Sequence, residues 1–165
     1  MCRPLVIAFG AAATVLSLSS SAAACPVVPV SIQADARFEP VVAALLRDSA
    51  TFARQCDRID GEAVVAVRTL PKNEESCCRA RATIRRYDSG AIIAIIELPA
   101  FKTDIEYAEL LGHEFEHILE QIDGVDLGTH GYRVAGFAEG PGTAYETERA
   151  RRAGTAVADE IANRR

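Results

Sequence analysis

Tryptophan is absent, methionine occurs once, and histidine occurs only three times in 165 residues. With no Trp and 6% aromatic residues, the chain has no platform on which bases would stack. Acidic residues outnumber basic ones by 23 to 18, a net charge of -5. That balance leaves no basic surface to neutralise phosphates and argues against a nucleic-acid partner. No C-x-x-C spacing occurs, so a thiolate metal site lacks its usual signature. Nothing marks a nucleotide or flavin site. The longest apolar run, Leu5 to Leu18, is short for a membrane span, which needs about 20 residues. What remains is 49% hydrophobic and 25% charged, the balance of a globular chain long enough for one cored domain.

The apolar run follows Arg3 and ends in Ala22-Ala23-Ala24, the pattern of a secretory signal peptide. Residues 1–24 are therefore expected to be removed near Ala24, leaving residues 25–165 as a single exported domain, periplasmic or secreted. Cys25 then stands first. A Cys there admits a lipid anchor, although Ala22 replaces the Leu usual in such sites. The mature chain keeps Cys25, Cys56, Cys77 and Cys78. An even number in an exported protein predicts two disulfides, with Cys77 and Cys78 each pairing with one of Cys25 and Cys56.

The pattern of apolar residues predicts an α+β domain. Val27 to Ile32 reads as an edge strand or extended arm. Pro40 opens a helix running toward Gln55, with Cys56 just past its end. Glu62 to Leu70, Arg79 to Arg85 and Ala91 to Leu98 read as three consecutive strands, an antiparallel meander. The second of these alternates Arg and Thr with Ala and Ile, which gives it one wet face. The third is apolar on both faces and should be covered on both. Thr103 and Glu106 form a capping box at the start of a helix ending near Asp123, with Gly124 as its stop. Gly124 to Gly142 reads as a loop, and a last helix runs from near Pro141 to about Asn163.

Two of the three histidines lie in His113-Glu114-Phe115-Glu116-His117, an H-E-x-x-H pattern inside the capped helix. Residues four apart stand one turn from each other on one face, so both imidazoles can reach one zinc ion. Glu114 beside the first can take a proton from an attacking water. At about 100° per residue, Leu111, Phe115, Ile118 and Ile122 form an apolar stripe, and His113, Glu114 and His117 lie on the other side. One face should pack on the sheet while the other lines a cleft.

A catalytic zinc takes three protein ligands, and four residues compete for the third place. Asp123 lies about 9 Å along the axis from His117 and needs a break in the helix to reach. His130 sits in the loop. Glu146 begins the series Ala150, Ala153, Val157, Ile161, which turns it to the inner face of the last helix. Glu148 falls among Arg149, Arg151 and Arg152 and reads as solvated. Orientation ranks Glu146 first, then His130, Asp123 and Glu148.

H-E-F-E-H followed by Glu146-Thr147-Glu148 resembles the gluzincin branch of the zincin metallopeptidases, in which the first Glu of a later Glu-x-Glu binds zinc. Ala150 stands where one such family has an Asp. The resemblance covers the two helices. It implies a minimal zincin-like domain, with a small antiparallel sheet packed on an N-terminal helix, an active-site helix and a C-terminal helix. It also implies His113, His117 and Glu146 as zinc ligands, Glu114 as catalytic base, and a protein or peptide substrate extended along a sheet edge. Tyr132, His130 and Tyr145 are candidate donors to the developing oxyanion. Two other readings are an exported module with a structural or regulatory zinc site, and a disulfide-stabilised binding protein.

Overall fold

The computed structural model describes residues 28–71, 80–126, 132–133 and 145–164. The fold is α+β, as expected. The elements run β1 (Ile32–Ala34), α1 (Glu39–Asp48), α2 (Ala50–Ile59), β2 (Ala63–Thr69), β3 (Arg81–Arg86), β4 (Ile92–Leu98), α3 (Asp104–Ile122), β5 (Tyr132–Arg133), β6 (Tyr145–Glu146) and α4 (Glu148–Ala162). The leader, Cys25, Cys77, Cys78 and His130 lie outside the described residues. No helix among the described residues is long and apolar enough to cross a membrane.

The sheet departs from the antiparallel meander. Its order is β1-β2-β4-β3, with β1 parallel to β2, β2 parallel to β4, and only β3 antiparallel to β4. The α1–α2 pair supplies the crossover that a parallel β1–β2 connection requires. Burial explains the order. β4 carries Ile92, Ala94, Ile96 and Leu98 on its inner face and takes an interior place. β3 carries Arg81, Arg85 and Arg86 and goes to the edge, where such side chains stay solvated. Its Ala82 and Ile84 pack against the core, as the alternation predicts. β4 is covered on one face only: Ile93 is 41% exposed and its neighbour Val64 49%.

The expected N-terminal helix is two helices. Ser49 is extended, at φ -120 and ψ 114, and caps α2 by accepting a hydrogen bond from the Phe52 N–H at 3.0 Å. The apolar period runs on across this break, which is why it was not visible in the pattern. Glu160 of α4 completes the cap. It accepts from the Ser49 hydroxyl at 2.6 Å, the Thr51 hydroxyl at 2.6 Å and the Thr51 N–H at 3.0 Å. Burial pushes its carboxyl up, but these hydrogen bonds outweigh that and hold it below the usual range. A depressed carboxylate stabilises the fold above the ordinary carboxylate range and loses that contribution as pH falls through the folded-state value. Glu160→Gln should therefore cost about 1 kcal/mol at neutral pH. The gap to wild type should close in acid, as read from urea midpoints at about pH 7 and about pH 3.

Cys56 lies inside the last turn of α2, not beyond it, and is a fully buried free thiol. Its side chain faces the core, and the expected partners Cys77 and Cys78 lie outside the described residues. Burial first, and then the charge of Asp57, push the thiol up to about 12.

α3 begins with the predicted capping box, Thr103 accepting from the Glu106 N–H and Glu106 from the Thr103 N–H. One side of α3 packs on the core through Leu111, Phe115 and Ile118, with Phe115 and Phe52 rings 4.7 Å apart. The opposite side does not line an open cleft. Glu116, His117 and Glu120 are all buried there, because α4 lies across them. Small residues allow that approach. Gly112 of α3 faces Val157, and Gly154 of α4 rests on the backbone of Glu109 and on His113.

Candidate metal centre

Residues i, i+3, i+4 and i+7 of a helix share a face. In α3 these are His113, Glu116, His117 and Glu120, the stripe that meets α4. Three of the four are buried and His113 is partly so, and polar side chains in such a stripe need partners. Glu116 accepts from Gln55 Nε2 at 2.7 Å and from Arg149 Nε at 2.5 Å. Arg149 also reaches Asp123 at 2.7 Å, and Asp123 binds Arg58 at 2.6 Å. Asp123 is thus committed to two arginines at the C-cap of α3 and is no third ligand. Glu148 is exposed and paired with Arg151 and Arg152.

His113 and His117 meet a third group. His113 Nε2 lies 3.2 Å from His117 Nε2 and 3.1 Å from Glu146 Oε2. Ligating atoms of all three residues lie within 4.8 Å of one another. Among the described residues this is the one cluster of three or more His, Cys, Asp or Glu side chains with metal-ligand spacing.

Glu146 arrives there by a route that helical periodicity did not describe. The last helix starts at Glu148, capped by Thr147, whose hydroxyl accepts from the Ala150 N–H at 3.0 Å. Glu146 precedes that cap and belongs to β6, which pairs with β5 in a two-stranded sheet, Tyr132 opposite Glu146 and Arg133 opposite Tyr145. The span from Gly124 to Gly142, read as loop, thus contains a short strand. The inward series ending at Ile161 is a property of α4, of which Glu146 is no part.

The electrostatics follow from burial and proximity. Burial disfavours the charged form of His113, but the Glu146 hydrogen bond and the charges of Glu114, Glu146 and Glu109 outweigh it and raise its pKa. Burial also pushes the Glu146 carboxyl up, and here the His113 hydrogen bond with the His113 and His117 charges wins and lowers it. Glu114 is 7% exposed and goes the other way. Burial lifts its carboxyl above the ordinary value, against the pull of His113, His117 and a hydrogen bond from the Ala82 backbone. Glu114 therefore feels the charges of both histidines from a buried position on α3.

Glu116 and Glu120 are functional candidates that the pattern H-E-x-x-H did not single out. Their signal was present: both fall at helical spacing from His113 and His117, on the same stripe. Glu120 accepts from His117 Nδ1 at 2.8 Å and from the Thr147 hydroxyl at 2.5 Å.

A His2Glu donor set can be tested against zinc by its edges. With bonds of about 2.0–2.1 Å, a tetrahedral ion sets its ligand atoms about 3.3 Å apart. Two of the three separations, 3.2 and 3.1 Å, lie close to that edge, and the ligating atoms of all three residues are within 4.8 Å of one another. No family model matches this chain, and neither does any curated protein or solved structure.

Proposed function

We propose that the protein is an exported zinc-dependent hydrolase that cleaves peptide bonds. The convergence of His113, His117 and Glu146, whose ligating atoms lie within 4.8 Å of one another, carries this reading. Three protein ligands suit a catalytic site, since structural zinc sites close with four. The Glu146 side is also the more open one: its side chain is 31% exposed, against 8% for His117.

Bound zinc would supply Lewis acidity, polarising the scissile carbonyl and making water a better nucleophile at neutral pH. His113, His117 and Glu146 would hold it. Glu114 takes the proton of the attacking water and returns it to the leaving nitrogen. Its burial favours that shuttling, because it lifts the proton affinity above that of a solvated Glu. β3 is the sheet edge in contact with α3, so an extended peptide would run along residues 81–86. Residues 1–24 would direct the chain out of the cytosol.

The expected result is one zinc per chain by elemental analysis, lost in Glu146→Ala. Hydrolysis of an unfolded protein substrate should stop on chelation and return with zinc. Absence of zinc from the folded protein, or hydrolysis that survives its removal, would sink the proposal. Zinc without hydrolysis would point to a structural or regulatory site.

A further inference from the structure

We infer that Glu120 is a positioning residue that holds two of the three ligands at once, His117 directly and Glu146 through Thr147. The inference rests on the zinc reading for its purpose, and on hydrogen-bond geometry for its existence.

Glu120 is 1% exposed, and a carboxylate so buried must spend its oxygens on donors. It spends them on two different elements. Oε2 takes the proton of His117 Nδ1 at 2.8 Å, within α3. Oε1 takes the hydroxyl proton of Thr147 at 2.5 Å, from the N-terminus of α4. An ionised carboxylate only accepts, so the His117 proton must sit on Nδ1. The lone pair is then on Nε2, the nitrogen that faces His113 Nε2 at 3.2 Å. That is the tautomer a metal ligand requires, selected by the group behind the ring.

The second bond acts on Glu146. Thr147 follows it directly in the chain and caps α4, accepting from the Ala150 N–H. A cap needs only the oxygen lone pairs, and the hydroxyl proton is left to choose a partner. Here it is given to Glu120, which ties the backbone next to Glu146 to the helix that carries both histidines. The first bond acts on the ring of one ligand, and the second on the residue next to another.

The test uses the full mature chain and reads metal affinity and imidazole tautomer. Zinc affinity is measured by competition with a chromophoric chelator, and Glu120→Ala should bind about 10–100-fold more weakly. Thr147→Val should weaken binding less, and Thr147→Ser should restore it. The double variant should be no weaker than Glu120→Ala alone, because one carboxylate serves both tethers. In metal-free protein, nitrogen NMR of the imidazoles should find His117 protonated at Nδ1, and a mixture of tautomers in Glu120→Ala. If that variant does not fold, Glu120→Gln serves, since its amide keeps one acceptor and turns the other into a donor. Wild-type zinc affinity in Glu120→Ala, or an unchanged tautomer in it, would overturn the inference, as would wild-type zinc affinity in Glu120→Gln, which can keep only one of the two tethers. Failure of the wild-type chain to bind zinc would remove the zinc reading instead, and the tautomer would still decide whether Glu120 orients His117.

Discussion

Glu114→Gln should leave zinc bound and reduce peptide hydrolysis by about 10²–10⁴-fold, the contribution of a positioned general base. The substitution keeps the volume of a side chain that is 7% exposed, so the core loses no contacts. It removes only the ability to take a proton. Burial raises the Glu114 carboxyl, and a neutral amide removes that desolvation cost, so the variant should be at least as stable as wild type. Zinc content, urea midpoint and turnover measured on one preparation separate these effects. Turnover equal to wild type would take Glu114 out of the chemistry. A fall in zinc content equal to the fall in turnover would make it a ligand or a structural support.

Gly154→Ala should cost about 1–3 kcal/mol of stability, the usual range for forcing an extra carbon into a packed contact. A Cβ at Gly154 would lie 2.6 Å from the Glu109 carbonyl oxygen and 3.1 Å from His113 Cβ. The first contact is with backbone, which cannot turn away as a side chain can. Relief therefore requires α4 to lift from α3. Helix propensity alone favours Ala over Gly by about 1 kcal/mol, so the sign of the change decides between the two effects. Lifting α4 would also withdraw Val157 from Gly112, and would draw Thr147 and Glu146 away from Glu120 and His113. Zinc affinity should fall along with stability. Thr155→Ala, on the exposed side of the same helix, should stay within about 0.5 kcal/mol of wild type and bind zinc normally. A Gly154→Ala protein more stable than wild type would show that close contact at Gly154 does not hold the two helices together.

The expectations that stood were those carried by neighbours in the chain. Thr103 and Glu106 are three residues apart, and their reciprocal hydrogen bonds form wherever the helix starts. His113 and His117 converge because four residues make about one turn. The alternation along β3 and the apolar runs of β2 and β4 were legible for the same reason. Glu146 was chosen on a helical series to which it does not belong, and it reached the histidines as the strand residue before a cap. The break at Ser49 was hidden because the apolar period continues across it, while the Glu160 that completes the cap lies far along the chain.

By itself, then, the amino-acid order determined an α+β chain with one capped helix presenting two imidazoles and a carboxylate at fixed spacing. Tertiary structure decided the rest. It set β3 outside β4 because the arginines of β3 tolerate an edge and the isoleucines of β4 do not. It closed the polar side of α3 with α4, through contact at Gly112 and Gly154, and so turned Glu116 and Glu120 from surface residues into buried partners. It brought Glu146 to 3.1 Å from His113. Helical spacing is a short-range regularity of one segment. The meeting of α3, α4 and β6 depends on side chains far apart in the chain filling one another's space, and no local period records that.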